Sequence, residues 1–264
     1  MVVPLAAASF HTHLLSLPAT KLWAFQHLTI SLDPSHLANA IRTSTCTAVS
    51  NGSLRTIGTA AFIFMDHTDT AFIQEHLLVP GPITPGNSYQ CELVGLLAIT
   101  YLLEELCSFY GISLGAAHIC CNNTSALRVF EPWYIPHPTN NSFDITSSLW
   151  HTLRTLPIAT TTEHVQGHQD KQSGDVPLSR NATTNVKMDA VANEYWSLLE
   201  TSGLPTNPPI KHLAREQWSV WHNDVKLFSP TYETLYECLS PPLIRTYWTH
   251  PHTTTSPTAH RRLF

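Results

Sequence analysis

The segment SYQCELVGLLAITYLLEELCSFYG, residues 88–111, constrains the fold more than any other stretch of this chain. Leu93, Leu96, Leu97, Thr100, Tyr101, Leu103 and Leu106 recur at helical spacing and cover one broad face, and Gly111 stands where such a helix would close. A helix so long and apolar is expected to pack centrally, with the rest of the chain built around it.

The flanking patterns say what surrounds it. Strand-like runs are predicted at 44–51, 57–65 and 71–78, and the Pro and Gly of VPGPITPGNS at 79–88 end the third. Beyond the long helix, LGAAHICC at 114–121 reads as a short buried strand. NNTSALRVF at 122–130 opens with good capping residues and reads as a helix leaving that strand directly. FDITSSLWHTLRTLP at 143–157 predicts another helix, with Leu149, Trp150, Leu153 and Leu156 on one side. IATTTEHVQ at 158–166 alternates like a strand, and TNVKMDAVANEYWSLLE at 184–200 is helical after a polar loop. This order predicts an α/β domain that begins with a meander.

Residues 1–43 have weak periodicity and are read as an N-terminal leader or linker with one short helix around residues 34–42. Residues 44–200 form the expected domain. Residues 201–264 are a C-terminal extension, partly disordered, whose aromatic-rich pieces suit a small hairpin and helix.

Charge narrows the function. Only 12% of residues are charged, with 14 Lys and Arg against 19 Asp and Glu. Within 44–200 six basic residues face fourteen acidic ones, a net charge of −8. Duplex affinity rests on phosphate neutralisation, so a strong independent grip on nucleic acid is not expected. The six cysteines show no C-x-x-C pairing and are read as reduced and mostly buried. The first residues lack a positively charged region ahead of their apolar run, and no stretch is judged to approach the roughly 20 apolar residues of a membrane helix. An intracellular protein of the cytoplasm or nucleus is expected, neither secreted nor in a membrane.

Five short motifs, VSNGS, YQCELVGLLA, CCNNTSAL, VQGHQD and NVKMDAVAN, follow one another at plausible spacing. Together they resemble the ribonuclease H domain of retroelement reverse-transcriptase polyproteins, over roughly residues 44–200. The resemblance implies a five-stranded mixed sheet, an antiparallel meander followed by parallel strands, flanked by helices. It also implies four carboxylates that hold two Mg²⁺ ions and hydrolyse the RNA strand of an RNA/DNA hybrid. Two adjacent cations repel, and a dense set of anionic oxygens is what keeps both in place.

Carried over by motif, the four ligand positions are 51, Glu92, 122 and Asp189, and His168 matches the family's mobile loop histidine. Positions 51 and 122 depart from the pattern, because both are Asn. Asn offers one neutral carbonyl oxygen where Asp offers two oxygens and a charge. One pair of a divalent ion with a carboxylate about 4 Å apart gains on the order of 8 kcal/mol at an effective dielectric of about 20, before desolvation. Losing part of that twice is expected to leave the endoribonuclease inactive or weak.

Each residue has a plainer reading as well. Asn51-Gly52 is an ordinary turn dipeptide, Asn122 an ordinary helix N-cap, and Glu92 a first-turn acid that suits the helix dipole. Asp189 and His168 need no chemistry when taken singly. Within the family reading, single-base changes of the kind that turn Asp into Asn also fit a chain rich in Thr, His, Ile and Asn, as in a decaying retroelement copy. The expected partners are an RNA/DNA hybrid, held weakly, and an upstream polymerase domain. Two other readings stand beside this one. The first is a non-catalytic nucleic-acid-binding or tether module of a larger polyprotein, with Trp218, Trp221, Tyr236 and Tyr247 as candidate contacts; the second is an unrelated α/β enzyme with Cys91 or Cys121 as nucleophile.

Overall fold

The computed structural model describes residues 9–81, 88–137, 140, 142–167, 177–203, 212–216, 220–222 and 225–227. Helices α1 (Phe10–Leu15) and α2 (Ala19–Leu22), a 3-10 turn at Trp23–Phe25, strand β1 (Thr29–Ile30) and helix α3 (Ser35–Arg42) come first. The meander follows as β2 (Cys46–Leu54), β3 (Gly58–Met65) and β4 (Phe72–Leu78). Helix α4 (Tyr89–Tyr110) leads to β5 (Ala116–Cys121), the one-turn helix α5 (Thr124–Leu127), α6 (Phe143–Thr155), β6 (Ala159–His164) and α7 (Arg180–Ser202). A small separate hairpin, β7 (Val220–His222) and β8 (Val225–Leu227), lies in the C-terminal segment.

The main sheet runs β1-β4-β3-β2-β5-β6. β2, β3 and β4 pair antiparallel, and β2 then pairs in parallel with β5 and β5 with β6. This is the mixed α/β sheet predicted from the sequence, with six strands instead of five. The sixth is β1, which adds to the β4 edge with Thr29 opposite Gln74 and Ile30 opposite Ile73. Two residues cannot show a period, so nothing in the sequence marked it.

Residues 10–42, expected as a leader with one short helix, pack on the same core as the sheet. Phe10, Leu14, Phe25, Leu37 and Ile41 are buried in the main cluster with α4. Polar ties reinforce the docking: Lys21 Nζ donates to Glu104 at 2.5 Å and also to Glu105, and His13 Nε2 lies 2.8 Å from Glu105 Oε2.

The long helix behaves as its composition demands. Seventeen of its 22 residues are buried, and it ends at Gly111 as expected. By length and composition alone it could cross a membrane, which corrects the reading that no stretch of the chain comes close. It is instead a core helix, with 78% of its most apolar window buried inside the protein. Strand side chains alternate between two layers. Ala48, Ala60, Phe62, Phe64 and Ile119 pack with α4, whereas Val49, Ala61, Ile63 and Cys120 pack with α7. Cys46, Cys91, Cys107, Cys120 and Cys121 are free and buried.

Candidate functional site

The sequence SNGS does not turn. β2 runs straight through Asn51 to Leu54, and the reversal comes at Arg55–Ile57, where the Arg55 N–H donates to the Ile57 carbonyl at 3.1 Å. Gly52 serves close approach. A Cβ there would sit 2.7 Å from the Cys91 carbonyl carbon and from the Glu92 nitrogen, so only glycine lets the first turn of α4 rest on the strand. That contact delivers Glu92 to the site.

Parallel pairing supplies the next position. Ser50 is in register with Cys121, so Asn51, within β2, and Asn122, just past the end of β5, stand side by side on neighbouring strands. Cys121 Sγ lies 3.4 Å from Glu92 Oε2 and links that strand end to α4. The site positions at 51, 92, 122 and 189 are thus gathered at one end of the sheet, with Asp189 contributed by α7. His168 lies outside the described residues.

The four environments differ. Glu92 is only 3% exposed, and burial pushes its carboxyl up to about 8. Hydrogen bonds from the Gly52 N–H and the Cys121 thiol oppose that rise, and the negative charge of Asp189 adds to it. Asp189 is half-buried and its Oδ1 accepts from Asn193 Nδ2 at 3.1 Å. Asn51 is 2% exposed and acts as a donor: its Nδ2 reaches Asn185 Oδ1 at 3.2 Å, while Asn185 Nδ2 donates to the Ser50 carbonyl at 3.2 Å. A carboxylate at position 51 could not make that donation.

Asn122 is half-buried, and its Oδ1 has no hydrogen-bond partner among the described residues. A Cβ on Gly167 would come within 3.2 Å of Asn122 Nδ2, so the loop ahead of His168 passes directly over it. Asn122 is not the cap of α5. That role belongs to Asn123, whose side chain accepts from the Ala126 N–H at 3.0 Å, one residue later than the plain reading placed it.

Two side chains were missed in the sequence, Asn185 and Asn193. With Asp189 they form a stripe on α7 at intervals of four, a spacing that puts them on one helical face. Asn193 Oδ1 accepts from Ser53 Oγ at 2.9 Å and from Arg55 Nη2 at 3.2 Å, and the Arg55 guanidinium lies 4.2 Å over the Trp196 ring. Counting back and forward one turn from Asp189 would have found both.

As a cation cradle this donor set is poor. It holds two carboxylates, Glu92 buried and Asp189 half-buried, and two amides that each offer one neutral carbonyl oxygen, that of Asn122 unpartnered among the described residues. Two divalent ions need more anionic oxygen than these residues offer, so the residues present do not fit the two-ion load of the family they resemble.

No family model matches the sequence, and no curated protein matches it. Among solved structures, ribonuclease H1 from the halophilic archaeon Halobacterium salinarum is similar at 13% identity and a TM-score of 0.40, over 58% of this chain and 97% of that one. The N-terminal ribonuclease H domain of a Mycobacterium tuberculosis protein aligns at 12% identity and a TM-score of 0.41, over 61% of this chain and all of that one. A foamy viral protease-reverse transcriptase in complex with an RNA/DNA hybrid aligns at 14% identity and a TM-score of 0.38, over 59% of this chain and 20% of that one. The topology is a three-strand antiparallel meander whose first strand continues in parallel through β5 and β6, with α4 and α7 packed on its two layers, the arrangement that the sequence resemblance implies.

Proposed function

We propose that the chain is a ribonuclease-H-like domain of retroelement origin whose hybrid-cleaving site has been neutralised at two of four ligand positions. Glu92 and Asp189 are the surviving carboxylates, Asn51 and Asn122 the altered positions, and His168 the loop residue. One observation carries the reading: Asn51, in the first-strand ligand position, is buried and committed as a donor to Asn185. The family reaction, Mg²⁺-dependent hydrolysis of the RNA strand of RNA/DNA hybrids, is therefore inactive or weak in this chain.

The net charge of −8 over residues 44–200 supports weak hybrid binding by the domain alone. An upstream polymerase domain would supply the missing grip, in a polyprotein working in the cytoplasm or nucleus.

The test is cleavage of a labelled RNA/DNA hybrid with Mg²⁺ and with Mn²⁺, by the native chain and by the Asn51→Asp/Asn122→Asp double variant. The expected result is activity in the double variant only. Substantial Mg²⁺-dependent cleavage by the native chain would sink the proposal. Tight hybrid binding with no rescue in a folded double variant would favour a non-catalytic binding or tether module instead.

A further inference from the structure

On the sheet layer turned toward α7, a second group of donors has no part in the site above. His118 and Cys120 are two residues apart on β5, so the pleat sends both to one face. The parallel ladder then sets Glu163 of β6 directly opposite Cys120, and Thr161 opposite His118. Glu163 Oε2 lies 2.9 Å from His118 Nε2 and 3.9 Å from Cys120 Sγ, and the three ligand atoms all fall within 4.8 Å of one another. Cys120 is fully buried, whereas the side chains of His118 and Glu163 are 34% and 42% exposed. A sulfur forms the floor, and a nitrogen and an oxygen form a rim open to solvent.

We propose that His118 Nε2, Cys120 Sγ and Glu163 Oε2 bind a thiophilic divalent cation of the Zn²⁺ class, with the solvent side left for a water ligand. Bond lengths of about 2.0–2.3 Å to such an ion imply tetrahedral donor separations of roughly 3.3–3.7 Å. The observed 2.9 and 3.9 Å lie on either side of that range and the third separation is under 4.8 Å, so closure around an ion asks for side-chain rotation without a change of strand register.

The rim ligands are also held by neighbouring side chains, His118 through its other ring nitrogen and Glu163 at Oε2 itself. His118 Nδ1 lies 2.9 Å from Thr161 Oγ1, which can accept the Nδ1 proton and leave the Nε2 lone pair for the metal. Asn181 Nδ2, at the start of α7, donates to Glu163 Oε2 at 2.8 Å and fixes the carboxylate. Binding releases the Cys120 thiol proton to solvent, since the thiolate is the ligand.

Donor type separates this site from the one at Asn51. Thiolate with imidazole selects a softer ion than Mg²⁺. Cys121, the next residue, turns to the opposite layer and contacts Glu92. The proposal therefore stands or falls independently of any nuclease activity.

The test uses the full reduced chain, freed of metal and titrated with Co²⁺ under absorbance, followed by Zn²⁺ competition. One equivalent of Co²⁺ should give a thiolate charge-transfer band that Zn²⁺ abolishes. The band should be lost in Cys120→Ser, and affinity should fall more than about tenfold in Glu163→Gln, which keeps the thiol and sits at the rim. If Cys120→Ser fails to fold, Glu163→Gln and His118→Gln decide by the same tenfold criterion. A native chain with no thiolate band, or affinity unchanged in the rim variants, would overturn the proposal and leave a hydrogen-bonded His–Glu pair above a core cysteine.

Discussion

Helices α4 and α7 are almost equal in length, 22 and 23 residues, and pack on opposite layers of one sheet, yet they are built on different rules. α4 buries seventeen residues and carries its one site carboxylate, Glu92, wherever apolar packing takes it. α7 buries only seven and turns the stripe Asn185, Asp189, Asn193 toward β2. One helix is a scaffold buried almost all round, and the other sets a polar wall against β2 beside the buried Met188 and Ala192. Asn51 meets that wall, through the hydrogen bond from its Nδ2 to Asn185 Oδ1.

The sharpest way to break this contrast is to truncate one leucine on each helix. Leu97→Ala in α4, where the residue is fully buried, should cost about 3–4 kcal/mol, whereas Leu198→Ala in α7, 58% exposed, should stay within about 0.5 kcal/mol. Urea unfolding of both variants decides, and equal losses would end the scaffold-and-wall account.

A smaller effect probes how the scaffold reaches the site. Gly52→Ala places a methyl 2.7 Å from the α4 backbone and should destabilise by about 2–3 kcal/mol, because neither the strand nor the helix can yield cheaply. A neutral result would remove the close approach as the reason for glycine here.

The third effect is pH-dependent. Glu75 on β4 is 1% exposed, and burial pushes its carboxyl up to about 8 against hydrogen bonds from the His27 and His76 N–H groups. In the unfolded chain this group ionises in the ordinary carboxylate range. Between that range and about pH 8 the folded chain alone keeps the proton, so the stability this group contributes is present at low pH and lost as pH rises. Glu75→Gln should flatten the decline in unfolding free energy between about pH 5 and about pH 8, by on the order of 2 kcal/mol. Parallel native and variant profiles would contradict the assignment.

Strong periodicity made most of the fold legible. The three meander strands, α4, β5, α6, β6 and α7 all lie where the alternation and helical spacing put them, because each is long enough to show its period. Short pieces escaped. α1, α2 and β1 are six, four and two residues long, too brief for a pattern, although Phe10, Leu14 and Phe25 join the core. Asn51-Gly52 was open to a turn reading because the dipeptide favours one, and only the tertiary approach of α4 shows what the glycine does. At the site, positions 51, 92, 122 and 189 were singled out by motif alone. Their neighbours Asn185 and Asn193 were not, although both stand one turn from Asp189 on the same helical face; only the fold shows that they meet Asn51 and Ser53. The cluster of His118, Cys120 and Glu163 depends on a strand register that no spacing within either segment reveals.

The central claim is that residues 51, 92, 122 and 189 now hold too little charge for two ions. Its most direct measurement is Mn²⁺ anomalous scattering from crystals of the native chain and of the Asn51→Asp/Asn122→Asp variant, soaked side by side. The account predicts a pair of peaks between Glu92 and Asp189 in the variant and none there in the native chain. A native crystal with both ions bound at those carboxylates would contradict it.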